Sequence, residues 1–235
     1  FNLMTKDVKS NDKKCAPGKI YSEGSCFTLD QLKKIGKQIN TNLNTNINLN
    51  HFEKRPLLKE LTKTLKNKYD CDDQLCWLNL DVIKNIDDTE IDKFTFRPSG
   101  PNKGTKWLNT TNIDLVLEQY EASNTDFISF GAVALDFKEI GRYKMNHIGN
   151  SFDDLWNKEI YKIGIIFNHD YSNMSGSHWV ALFVDLKKGV IYYFDSYGKI
   201  AKDEILEYVE KIKEFMIKKN IKPIYKSNNI RHQFK

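Results

Sequence analysis

Apolar residues recur at the spacing of helix turns in the first part of the chain. Thr28 and Asp30 lie at the start of the first such stretch, and either side chain could accept a hydrogen bond from a free N–H group at the helix start. An Asn-rich connector and two further helical stretches follow. We predict helices over residues 27–39, 56–68 and 75–86. Residues 1–20 are polar and are expected to form a flexible or surface-laid arm.

The second part of the chain contains runs of β-branched and aromatic residues, which are typical of strands. Two of these runs are apolar almost throughout, which predicts central strands buried on both faces. Gly189 lies in the short turn between them, where it can adopt a positive φ. Two amphipathic stretches, over residues 113–120 and 202–219, predict helices. The strands are expected over residues 127–137, 163–167, 178–186, 190–194 and 221–225.

A turn-rich segment separates these two halves of the chain. Residues 97–106 hold two prolines and two glycines. We therefore place a domain boundary there, with a small helical N-terminal region over residues 1–95 and an α+β domain over residues 96–235. Trp107-Leu108-Asn109 comes next, and any of the three residues after it could cap the following helix.

The chain carries a formal net charge of +5. Basic and acidic residues are interleaved along most of the sequence, which favours a solvated surface, and weak association with nucleic acid is the alternative. No apolar run is long enough to span a membrane, and the first residues lack the apolar core of a signal peptide. We expect both ends to be truncated, since the chain begins at Phe1 and ends close behind an informative motif.

The four cysteines all lie in the helical N-terminal region. They are Cys15, Cys26, Cys71 and Cys76. Their spacing contains no Cys-x-x-Cys pair and fits no common zinc pattern. We therefore expect reduced, partly buried thiols in an intracellular protein, and a structural disulfide or zinc site is the alternative.

A histidine and an aspartate lie at the ends of the two most apolar strands. His178 opens the first strand and Asp195 follows the second, so both are expected at the sheet edge away from the turn. Asp195 could there accept the Nδ1 proton of His178 and fix its tautomer. Gln233 could donate a side-chain N–H to a developing oxyanion. Each residue alone is more often a packing or surface residue, so the inference depends on their order along the chain.

That order resembles the ubiquitin-like-protein-specific (SUMO) protease family of papain-like cysteine proteases. The resemblance rests on Gly-Ser-His-Trp-Val-Ala-Leu-Phe-Val-Asp (176–185), on Tyr-Phe-Asp-Ser (193–196), and on the helix, strand and Gln233 that follow. It is closest to the branch found in large DNA viruses such as African swine fever virus, with the adenovirus protease as a more distant relative. It covers residues 107–235 and implies an α+β fold with a central mixed sheet and flanking helices.

The resemblance also implies roles for individual residues. His178 would be the catalytic base, Asp195 its orienting partner and Gln233 the donor of the oxyanion hole. The family's nucleophilic cysteine lies a few residues beyond the glutamine at the start of a helix, so we expect it just past Lys235. The residues implied in the substrate groove are Trp107, Asn109 and Trp179.

The resemblance implies a cysteine endopeptidase that processes viral structural polyprotein precursors at Gly-Gly-X-like sites during virion maturation. One alternative is the removal of SUMO or ubiquitin from host proteins. Others are a binding module that has lost its cysteine and a nucleic-acid-associated structural protein. The expected partner is a viral precursor or a ubiquitin-like protein, and the expected location is the virion and the viral factory in the host cytoplasm. We expect no cofactor, no metal and no membrane association.

Overall fold

The fold was analysed in a computed structural model. The structure describes residues 14–101, 106–138 and 152–233. The chain forms two compact units, Phe1–Ser99 and Gly100–Lys235. Most of the predicted arm over residues 1–20, and Gly104 of the turn-rich segment, lie outside the described residues.

Helices form the framework of the first unit. α1 (Leu29–Leu43) and α2 (Lys54–Tyr69) confirm the first two predicted helices. The predicted third helix is divided instead, because turns interrupt the chain after Trp77 and after Lys84. The short helices are α3 (Gln74–Trp77), α4 (Asp81–Lys84) and α5 (Thr89–Asp92).

The first two helices share one apolar core. Thr28 caps α1 in a capping box: its hydroxyl accepts the Gln31 N–H at 3.1 Å, and the Gln31 side chain accepts the Thr28 N–H at 2.8 Å. This fixes where α1 begins and therefore which face its apolar stripe presents. The stripes of both helices are fully buried, with Leu32, Ile35, Ile39, Leu57, Leu61 and Leu65.

The cysteines form two disulfides, Cys15–Cys26 and Cys71–Cys76. The expectation of reduced thiols was therefore wrong. In the first pair the chain reverses between the two cysteines, where the backbones of Ser22 and Ser25 exchange hydrogen bonds of 3.0 and 3.1 Å. Such local turns bring the sulfur atoms together, and the spacing of cysteines along a sequence does not encode them.

The second unit is built on a five-stranded mixed sheet, which confirms the predicted α+β class. The strands lie in chain order across the sheet: β1–β2 and β4–β5 pair in parallel, while β2–β3 and β3–β4 pair antiparallel. The strands are β1 (Phe127–Val133), β2 (Lys162–Asn168), β3 (Trp179–Asp185), β4 (Val190–Phe194) and β5 (Ile224–Ser227). The helices are α6 (Thr110–Ser123), α7 (Phe152–Asn157) and α8 (Asp203–Lys218).

One face of the central strands is buried against α8. Val180, Leu182 and Val184 of β3 share a core with the apolar stripe of that helix. On the other face, Phe183 of β3 and Phe194 of β4 remain 37% and 46% exposed. The prediction that these strands are buried on both faces was therefore wrong, because side chains alternate along a strand and α8 packs on one side.

The β3–β4 hairpin positions two of the predicted site residues. Its pairing runs from Asp185–Val190 at the turn to Ala181–Phe194 at the open end. Gly189 adopts a φ of +69° in the turn, as predicted from the sequence. None of the helices in the described ranges has both the length and the apolar character needed to cross a bilayer.

We predict that the unreduced protein, alkylated and digested, releases disulfide-linked peptides that pair Cys15 with Cys26 and Cys71 with Cys76. Non-reducing peptide mass spectrometry measures this directly. Reduction before alkylation is the control and should free every cysteine. Recovery of alkylated, unlinked cysteines without reductant would contradict the pairing.

Candidate active site

His178 and Asp195 meet at the open end of the β3–β4 hairpin. His178 precedes the first residue of β3, Asp195 follows the last residue of β4, and His178 Nε2 lies 2.6 Å from Asp195 Oδ1. We predicted contact through Nδ1, so the ring is turned the other way. Nδ1 has no hydrogen-bond partner among the described residues and is the ring nitrogen available to a reacting group.

The Asp195 carboxylate is fully buried. Burial alone would raise its pKa, but the Tyr197 N–H at 2.7 Å and His178 favour the ionised form, and the pKa of Asp195 is lowered overall. Both contacts fall on Oδ1, and the buried Oδ2 has no hydrogen-bond partner in the described part of the chain. The carboxylate beside His178 therefore stays ionised below the ordinary pKa of an aspartate.

Asn228 fixes the backbone of Asp195. Its side-chain oxygen accepts the Asp195 N–H at 2.8 Å, and its amide nitrogen donates to the Asp195 carbonyl at 2.6 Å. Asn228 directly follows β5, so the amide extends the β4–β5 pairing by one step. We did not predict this residue, because nothing in the local sequence links it to Asp195.

Two aromatic rings hold the imidazole of His178 in place. Tyr197 stacks on it, with ring centroids 4.3 Å apart and an interplanar angle of 23°. His169 meets it edge to face at 5.1 Å. Burial, followed by the charge of the nearby His178, lowers the pKa of His169, which favours its neutral form beside the pair. We predicted neither residue from the sequence, although the adjacent Asn168–Trp179 pairing brings His169 level with His178.

Gln233 lies against the turn that follows Asp195. The Ser196 hydroxyl donates to Gln233 Oε1 at 2.7 Å, and the Gln233 backbone N–H donates to the Ser196 carbonyl at 2.9 Å. The Gln233 amide nitrogen makes no hydrogen bond to any described residue, so its donors remain available. Gln233, the third predicted site residue, is therefore hydrogen-bonded to Ser196, the residue that follows Asp195.

The three predicted groove residues line a single cavity of about 410 Å³. Trp179 forms one wall, and its indole N–H donates to the carbonyl of Leu108 at 2.9 Å. Trp107 lies in the same lining and is 70% exposed. Asn109 also caps α6 by accepting the Asn112 N–H at 2.9 Å, so the cap lies one residue before the three that we predicted. We find no cluster of metal-binding side chains in the residues that the structure describes.

A family model decides the classification. The model of the Ulp1 protease family, C-terminal catalytic domain, matches residues 106–233. The chain belongs to this family. The matched segment contains His178, Asp195 and Gln233. The chain is therefore a cysteine peptidase of the Ulp1 protease family whose substrates are polypeptides.

Relatives from large DNA viruses support the same classification. A predicted thiol protease of Acanthamoeba polyphaga mimivirus is 33% identical over 238 residues, covering 93% of this chain and 78% of the relative. A SUMO-1 cysteine protease of African swine fever virus is 28% identical over 202 residues, covering 76% of this chain and 73% of the relative. The crystal structure of an African swine fever virus protease shares the fold, with a TM-score of 0.59, 23% identity and coverage of 94% of this chain and 79% of that one.

We predict losses of kcat of different size for two substitutions of Asp195 in this Ulp1-family peptidase. Asp195→Ala should lower kcat about 100-fold, because His178 loses its orienting partner. Asp195→Asn should lower kcat less, about tenfold, because an amide oxygen can accept both bonds now made to Oδ1, while the charge is lost and the new buried amide nitrogen stands where Oδ2 has no hydrogen-bond partner among the described residues.

Steady-state hydrolysis of a peptide substrate by the full-length enzyme measures both Asp195 variants. Asp203→Asn, an exposed carboxylate in the first turn of α8, is the matched control and should leave kcat unchanged. An Asp195→Ala variant with wild-type kcat would show that the Asp195 carboxylate does not contribute to catalysis.

Proposed function

We propose that this cysteine peptidase processes viral structural polyprotein precursors at Gly-Gly-X-like sites during virion maturation. The proposal rests on the 2.6 Å contact between His178 Nε2 and Asp195 Oδ1. His178 directly precedes Trp179, the first residue of β3, which lines the groove. The kinship with proteases of two large DNA viruses supports the viral setting. The virion and the viral factory in the host cytoplasm are the proposed sites of action.

In the proposed mechanism, the nucleophile is a cysteine that follows Lys235 in the full-length protein. His178 accepts the thiol proton, and the thiolate attacks the scissile carbonyl to form a C–S bond. Gln233 donates to the resulting oxyanion, which collapses as the C–N bond breaks. His178 then returns the proton to the leaving amine. Water attacks the thioester with His178 as base, releasing the acid and the free thiol.

Contacts in the groove support a preference for glycine before the cleaved bond. The bond from the Trp179 indole to the Leu108 carbonyl holds this wall in one orientation. A substrate residue beside this wall would meet the indole with its Cβ, whereas glycine has no Cβ and lets the substrate backbone approach the wall closely. The remaining lining includes Val133 and Phe137, so substrate residues further from the bond would meet apolar side chains.

A second candidate keeps the chemistry and changes the substrate. The African swine fever virus relative is named a SUMO-1 cysteine protease, which favours the removal of a ubiquitin-like protein from host conjugates. In this candidate function, the C-terminal tail of the modifier would lie in the groove lined by Trp107 and Trp179. A ubiquitin-like protein carrying a C-terminal vinyl sulfone separates the candidates, because only a deconjugating enzyme recognises the folded modifier.

We predict that the full-length enzyme cleaves precursor peptides containing Gly-Gly-X and that replacing either glycine by valine lowers kcat/KM about 100-fold. Chromatography with mass spectrometry locates the cleaved bond. His178→Ala is the inactive control. Rapid labelling by the ubiquitin-like vinyl sulfone together with intact precursor peptides would instead favour the second candidate.

A further inference from the structure

Consecutive residues after β4 contact the two halves of the candidate site. Asp195 Oδ1 lies 2.6 Å from His178, and the next side chain, Ser196, donates to Gln233 at 2.7 Å. Successive side chains at a strand end point in opposite directions, so neighbours in sequence can serve separate groups. One short turn therefore contacts both the proposed base and the proposed oxyanion donor.

Ser196 holds the segment that carries Gln233 through its backbone as well. Its carbonyl accepts the His232 N–H at 2.7 Å and the Gln233 N–H at 2.9 Å. Two residues later, Gly198 has a φ of +69°, and a Cβ there would lie 2.9 Å from the carbonyl carbon of Ile230. The turn and the segment therefore pack backbone to backbone, which fixes the distance over which the Ser196 hydroxyl acts.

We propose that Ser196 is a positioning residue that orients the side-chain amide of Gln233 so that its N–H groups face the oxyanion. This rests on the proposed function, in which Gln233 is the oxyanion donor. The amide oxygen and nitrogen of a glutamine have similar shapes, so the surroundings decide which one faces a reacting group. Ser196 binds Oε1 and thereby leaves Nε2 as the free end.

The transition state selects the orientation that Ser196 stabilises. A hydroxyl could also accept from Nε2, but the amide oxygen would then face the oxyanion and repel it. When Nε2 donates to the oxyanion, Oε1 needs a donor, and the Ser196 hydroxyl supplies one. Without that hydroxyl, the amide is free to rotate and the productive orientation is less populated.

The experiment is a double-mutant cycle on the full-length enzyme, with Ser196→Ala, Gln233→Ala and the double variant. Hydrolysis of a Gly-Gly peptide and of p-nitrophenyl acetate is measured, because the ester needs no precursor recognition. Alkylation by iodoacetamide is measured alongside, since it consumes the thiolate without forming an oxyanion. Ser196→Thr retains the hydroxyl, and Ser123→Ala at the end of α6 is the matched control.

Ser196→Ala should lower kcat about tenfold on both substrates, the factor expected from one lost hydrogen bond. KM and the alkylation rate should stay within about twofold of wild type, because His178 and Asp195 are untouched. In the Gln233→Ala background the same substitution should add almost nothing. Ser196→Thr should restore most of the rate, and Ser123→Ala should change nothing.

Several outcomes would overturn the proposal. Ser196 does not act through Gln233 if Ser196→Ala leaves kcat unchanged, or if the losses of kcat from the two single variants multiply in the double variant. The same conclusion follows if Ser196→Ala lowers the alkylation rate as much as it lowers kcat. A wild-type enzyme that hydrolyses the ester but leaves the peptide intact contradicts the proposed substrate, while the cycle on the ester still decides the role of Ser196. A wild-type enzyme that hydrolyses neither substrate contradicts both.

Discussion

The hydrogen bond between His178 and Asp195 depends on the register of one antiparallel hairpin. β3 and β4 pair from Asp185–Val190 to Ala181–Phe194, which brings the residue before one strand and the residue after the other to the same sheet edge. A slip of one residue would turn a whole strand's side chains to the other face. The turn resists such a slip, because Gly189 lies so close to the segment before β5 that a Cβ there would approach the Lys222 carbonyl oxygen to 2.5 Å.

Parallel pairing of β5 with β4 brings the rest of the site to that edge. The chain leaves β5 beside Asp195, where Asn228 clamps its backbone and Gln233 reaches the following turn. Asp195 is fully buried, so its charge acts on His178 with little screening by water. The lowered pKa of His169 favours a neutral imidazole next to the His178–Asp195 pair.

The sequence predicts the elements whose signals are local. The apolar runs of β2, β3 and β4 are bounded by turn formers, and the hairpin between them was enough to place His178 near Asp195. The last strand begins later than predicted, at Ile224, because Pro223 has no N–H to donate to a ladder. The ring orientation of His178 and the clamp by Asn228 depend on side-chain torsions and on contacts between distant segments, which residue patterns do not encode. The disulfides depend on local turns that the spacing of the cysteines does not reveal.

We propose that His178 and Asp195 activate a cysteine that follows Gln233. The most direct measurement is labelling of the full-length enzyme with a Gly-Gly peptide bearing a thiol-reactive electrophile, followed by peptide mapping of the modified residue. We predict one modified cysteine, C-terminal to Gln233, and loss of the label in His178→Ala. Label on Cys15, Cys26, Cys71 or Cys76, or labelling that does not depend on His178, would contradict it.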